Sequence, residues 1–208
     1  MTAILTTATP FVLVASDAAA AAATKNVVVL GDSLAAGYGV EPEEAFPALL
    51  QQKVDATGLK CAIVNAGVSG NTSADGLARI DWLLKRRFDV LLLELGGNDG
   101  LRGLPVTAMR DNLQAIIDRV KQRYPQVRIV VVGMQLPPNL GPDYTTAFRR
   151  VFPDLAAKNN AALVPFLLEG VGGKPQLNQG DHIHPNAAGH KIIAETVWKV
   201  LEPELQKL

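Results

Sequence analysis

Residues 27–39 read VVVLGDSLAAGYG. Four apolar residues run straight into one acid and one hydroxyl, and glycines follow at 37 and 39. A short, continuously apolar run bounded by a turn signal reads as a strand buried on both faces. The Asp-Ser pair then marks the point where that strand leaves the core. Three further runs of this kind follow, CAIV at 61–64, DVLLLEL at 89–95 and VRIVVVGM at 127–134, with a weaker one over 161–167. The segments between them have helical periodicity: about 43–57, 74–87 (Leu77, Ile80, Leu83, Leu84), 107–123 (Met109, Leu113, Ile116, Ile117, Val120) and 144–159. A last helix over about 186–202 carries Ile192, Ile193, Val197, Val200 and Leu201 on one face. Strand and helix alternate, and each return path is long enough for a crossover. The expected fold is an α/β sandwich of three layers, a mostly parallel five-stranded sheet flanked by helices, formed as one domain over residues 25–208.

Ligands of such sheets collect at the carboxyl ends of the strands. Each of the four stronger runs is followed by polar or turn chemistry: GDS at 31–33, NAGVSGN at 65–71, GGND at 96–99 and QLPPN at 135–139. The first of these does not have the glycine spacing of a dinucleotide loop, lacks the lysine of a phosphate loop, and has Ala35 where a G-x-S-x-G elbow needs glycine. A helix cap is one reading of Asp32-Ser33. The other is a nucleophilic serine at the ligand end of the sheet.

A serine nucleophile needs a base, and the three histidines fall in one segment, NQGDHIHPNAAGH. His190 reads as a residue of the last helix with a surface or local partner. Asp181 and His184 stand three apart before Pro185, a spacing that lets a carboxylate accept from one ring nitrogen while the other faces Ser33. His182, adjacent to Asp181, points elsewhere. Asn98, behind two glycines, offers an uncharged NH2 group, and Gly70 offers a main-chain N–H unshielded by a side chain; both suit an oxyanion. Each is equally at home in an ordinary turn.

Taken together, GDSL at 31–34, AGVSGNT at 66–72, GGND at 96–99 and DHIHP at 181–185 resemble the four blocks of the SGNH, or GDSL, hydrolases. The flanking sequences are similar to those of the bacterial lysophospholipase, thioesterase and arylesterase branch. The resemblance spans about 27–200. It implies a flavodoxin-like sheet, Ser33 as nucleophile, Asp181 and His184 as the rest of a triad, and an oxyanion hole from the Ser33 amide, Gly70 and Asn98. It also implies a periplasmic or secreted enzyme that acts on acyl and aryl esters, thioesters or lysophospholipids through an acyl-enzyme.

Composition narrows the partners. Twenty basic residues balance twenty acidic ones, which gives no electrostatic reason to expect nucleic acid. The single cysteine, Cys61, excludes an internal disulfide and reads as a buried, inert thiol. Residues 1–24 are apolar, lack Lys and Arg, and end in an alanine tract like that before a leader cleavage site. Their apolar run PFVLVA is too short to span a bilayer. Leu34, Leu104, Leu136, Pro137 and Ile183 fall near the expected rim and are the candidate contacts for an uncharged acyl or aryl group. Within GLRGLPV at 100–106, glycines would let a loop move against the ligand; a rigid connection with its leucines in the core is the alternative. The expected form is a monomer without cofactor or metal. Two rivals differ in class: a metal-dependent phosphoesterase using Asp32, Asn98, Asp99, Asp181, His182 and His184, and a non-catalytic lipid or carbohydrate binder.

Overall fold

A computed structural model describes residues 24–208; the proposed leader, except for Thr24, lies outside the described residues. Five strands form one sheet: β1 (Lys25–Gly31), β2 (Cys61–Gly67), β3 (Val90–Glu94), β4 (Arg128–Val132) and β5 (Ala162–Val164). Their spatial order is β2-β1-β3-β4-β5, and every pairing is parallel. The chain winds outward from β1 to β2 on one side and from β3 through β5 on the other. The carboxyl ends of β1 and β3 therefore flank the crevice where winding reverses, the ligand position of this topology.

The helices are α1 (Ser33–Ala36), α2 (Phe46–Thr57), α3 (Ser73–Leu83), α4 (Gly97–Leu101), α5 (Val106–Arg123), α6 (Pro142–Asn159) and α7 (Ala187–Leu205). The pair α2 and α7 pack together, while α3, α5 and α6 pack in a row, which completes the three layers. The α5 stripe of Met109, Leu113, Ile116, Ile117 and Val120 is buried as its periodicity requires. Thr72 and Asp75 satisfy each other's amides at the start of α3, and the Asn186 side chain accepts from the Ala188 and Gly189 amides at the start of α7. These caps fix the helix starts beside the loops that carry the site.

Two strand expectations change. CAIV does not lie in a doubly covered strand: β2 is an edge strand, and Val64 is 44% exposed. The run over 161–167 yields only three strand residues before Pro165, whose missing N–H cannot extend a ladder. Cys61 is buried, and burial followed by the nearby Asp89 charge pushes its thiol pKa up. That is the inert state the sequence implied. His190 is not at the surface. It is buried, its Nδ1 accepts the Phe46 amide across 3.2 Å, and burial lowers its pKa to about 4. A neutral ring is what that acceptor role requires.

Candidate active site

β1 brings Gly31, Asp32 and Ser33 to the crevice. Gly31 has to be glycine, because a Cβ there would stand 2.3 Å from Glu94 Oε2 and 2.5 Å from the Ala35 side chain. Asp32 caps α1: its Oδ1 accepts the Leu34 amide at 3.0 Å. Ser33 is the first residue of that four-residue helix and is nearly buried. Sequence alone left a cap and a nucleophile as competing readings of this pair. The cap belongs to Asp32, which leaves the Ser33 hydroxyl free for another partner.

That partner is His184. Its Nε2 lies 2.9 Å from Ser33 Oγ, and its Nδ1 lies 2.6 Å from Asp181 Oδ2. The other Asp181 oxygen accepts the main-chain amides of Ile183 and His184, each at 3.0 Å. Those amides, with the His184 ring, hold the Asp181 carboxyl well below the usual carboxylate range, the His184 amide most of all. An ionised Asp181 fixes the tautomer with the proton on Nδ1 and leaves Nε2 as the acceptor facing the serine. His182 has φ of 60° and makes no hydrogen bond through its ring among the described residues. Its left-handed backbone forms the turn that lets Asp181 and His184 meet.

The two candidate oxyanion donors come from the connections after β2 and β3. Asn98 Nδ2 donates to Asp32 Oδ2 at 3.1 Å and to the Asn71 carbonyl at 3.0 Å. Both of its hydrogens are engaged, so donation to a ligand requires one of these bonds to open or be shared. Gly70 has φ of 81°, and its carbonyl accepts Arg102 Nη2 at 2.9 Å. This turns the Gly70 peptide so that its carbonyl faces the arginine. Asn98 thus bridges the neighbour of Ser33 and the neighbour of Gly70, and three strand ends converge on one rim.

Sequence reasoning passed over several residues behind this rim. Glu94 ends β3, is wholly buried, and its Oε2 accepts the Asp32 amide at 3.2 Å. Burial, then the Asp32 charge, pushes its pKa well up, while burial raises Asp32 from 3.8 to about 6. Of the pair, Glu94 is the one that holds a proton. Its only sequence signal is an acid closing the apolar stretch Val90–Leu93. Arg79 donates to the Gly31 carbonyl and to Asn71 Oδ1, and the Asp99 carboxylate takes the amide and hydroxyl of Ser73.

The candidate substrate contacts divide. Leu104 and Ile183 are 37% and 49% exposed, and Pro137 is exposed. Leu136 is half-buried and packs beside Gly100, where a Cβ would meet it at 2.5 Å. Leu34 is buried in the core and has little surface left for a ligand. Of GLRGLPV, Gly100 and Leu101 belong to α4 and Val106 opens α5, which leaves only 102–105 outside a helix. Among the described residues no group of three or more His, Cys, Asp and Glu is placed to hold a metal ion. The oxygens of Asp181 are occupied by His184 and by amides, and Asp99 is turned toward Ser73.

A family model described as GDSL-like lipase/acylhydrolase matches residues 29–192. The chain belongs to this family. Within it, the chain is 43% identical over 185 residues to the Pseudomonas aeruginosa esterase TesA, covering 88% of this chain and 91% of that one. It is 41% identical over 184 residues to the Escherichia coli thioesterase 1/protease 1/lysophospholipase L1, covering 88% and 86%. The crystal structure of the psychrotrophic esterase EstA from Pseudoalteromonas sp., inhibited by monoethylphosphonate, superposes with a TM-score of 0.82 at 35% identity, covering 88% and 99%. As a GDSL-like acylhydrolase the protein is a serine hydrolase acting on carboxylic ester bonds, and the fold matches the sandwich expected from the sequence.

Proposed function

We propose that Ser33, His184 and Asp181 form the catalytic triad and that the Ser33 and Gly70 amides with Asn98 Nδ2 form the oxyanion hole. The continuous hydrogen-bond chain from Ser33 Oγ through His184 to Asp181 carries this reading. Ser33 Oγ attacks the acyl carbon as its proton passes to His184 Nε2, and the charge on the former carbonyl oxygen is met by the three donors. Collapse breaks the ester bond, and His184 returns the proton to the leaving alcohol or thiol. Water then attacks the acyl-enzyme with His184 again as base, releasing the acid and restoring Ser33. Ser33→Ala should abolish covalent labelling by an organophosphate and nearly all turnover, with an unchanged melting temperature. Labelling that persists in this variant would move the nucleophile elsewhere.

The same reading extends to substrate and compartment. Leu104, Pro137, Ile183 and the half-buried Leu136 offer apolar surface on the segments that follow the candidate site residues, which suits acyl chains of thioesters and lysophospholipids as well as aryl esters. The names of the relatives support this breadth. The enzyme acts as a monomer, and residues 1–24 serve as an export leader that delivers it to the periplasm or the medium. Sequencing the mature protein from its native host should find a first residue within 20–26. A chain starting at Met1 or Thr2 would assign the enzyme to the cytoplasm.

A further inference from the structure

The triad reading leaves open what sets the gap between base and nucleophile. Asp181 and His184 sit on one strap, residues 178–186, and their mutual geometry is fixed within it. The strap has almost no regular structure; a single antiparallel bridge joins Asn178 to Pro185. The distance from His184 to Ser33 therefore depends on how the strap is tied to the loop that follows β1.

Gln179 makes that tie. Its main chain closes the strap on itself: the Gln179 amide donates to the His184 carbonyl at 2.7 Å, and the Gln179 carbonyl accepts the His182 amide at 3.0 Å. Its side-chain Nε2 has two hydrogens and uses both. One goes to the Pro185 carbonyl at 3.0 Å, next to His184, and the other to the Tyr38 carbonyl at 2.6 Å, across to the serine loop. Tyr38 is bonded in turn to the nucleophile's own residue, since its amide donates to the Ser33 carbonyl at 3.0 Å. Apart from the His184–Ser33 bond itself, this is the only hydrogen bond among the described residues that joins the strap to residues 32–40. The serine loop is shaped to receive it. Gly39 has φ of 74°, and a Cβ there would lie 2.1 Å from Gln179 Oε1. The Tyr38 ring completes the seat, with its centroid 4.6 Å from that of His184.

We propose that Gln179 is a positioning residue for the reaction: its amide links the His184 strap to the Ser33 loop and so sets the reach of the base to the nucleophile. Its side-chain hydrogen bonds go to the Tyr38 and Pro185 carbonyls and not to Ser33 Oγ, the His184 ring or Asp181. Its effect should therefore fall on the chemical step, where a displacement of about 1 Å can cost on the order of 100-fold in rate. Glutamate has the same shape but presents oxygens to two carbonyls and cannot make the link in its ionised form.

The test is a comparison of Gln179→Ala, Gln179→Met and Gln179→Glu with the native enzyme on an activated ester. Kcat should fall by about 10- to 100-fold in each, with KM within twofold. The low-field proton resonance of the His184–Asp181 bond should persist, because that pair is built within the strap. Methionine preserves length and packing, so it decides the matter if the alanine variant does not fold. A Gln179→Met kcat within twofold of native, a loss expressed in KM, or disappearance of the low-field resonance would each overturn the assignment. This inference rests on Ser33, His184 and Asp181 being the triad. That reading fails separately, by persistent labelling of Ser33→Ala, whatever the Gln179 variants do.

Discussion

Asp32 shows how a single side chain can be held in an unfavourable state because its neighbours need it. It is almost fully buried against a second buried acid, yet its Oδ2 receives an Asn98 hydrogen and its Oδ1 the Leu34 amide. Burial raises its pKa from 3.8 to about 6, so its contribution to stability is full below the unfolded value and is lost as pH rises through about 6. At neutral pH the fold holds a buried charge, and that charge orients the Asn98 amide. Replacing Asp32 with Asn should remove this pH slope. The melting temperature of Asp32→Asn minus that of the native protein should grow more positive between pH 4 and pH 7, while kcat at neutral pH falls because two amide NH2 groups now face each other. Parallel melting curves would show that Asp32 is not the group responsible. The Asp-Ser pair was legible from sequence as the exit of the first strand. The opposition between its burial and its charge was not, because Glu94 lies 62 residues away.

At the scale of elements, the first, third and fourth strands fall where their apolar runs lie, while β2 runs on to Gly67 and β5 stops at Val164. Short α4 was missed because five residues carry no helical period, and α3 stops at Leu83, short of the expected 87. The connection after β3 was read as either an adaptable loop or a rigid link with its leucines in the core. Its leucines are at the surface, while its backbone is held: the Leu104 amide donates to the Asp99 carbonyl at 2.9 Å and its carbonyl accepts Tyr144 Oη at 2.7 Å. Gly100 is packed tightly, whereas Gly103 has φ of 65° and open space around it. Any freedom in this connection belongs to the Gly103 side and to side chains. Leu104→Ala should therefore shift the preference between short and long acyl esters with little change in melting temperature. A buried leucine would instead cost about 2–5 kcal/mol. An unchanged chain-length profile would assign substrate breadth to the wall after β4.

For the whole molecule, the order of apolar runs was enough to give a parallel sandwich, because periodicity and crossover length are local properties of the chain. The rule that ligands gather at strand ends points to Ser33 and Asn98, while Asp181 and His184, well past the end of β5, are suggested only by their spacing of three before Pro185. What stayed hidden were the residues whose meaning is a distant partner: Arg79 on Gly31, 48 residues away, and Gln179 on Tyr38, 141 residues away. No spacing signal survives such separations. The same distances bear on the life of the protein before it is finished. Ser33 and His184 are 151 residues apart in sequence, at opposite ends of the domain. On the proposed triad, the hydroxyl is made early in synthesis and its base only near the end. That serine has no base within reach until the strap holding His184 docks beside it. With that assignment, a chain that stops before the strap carries the serine without a general base and should be inert toward activated esters.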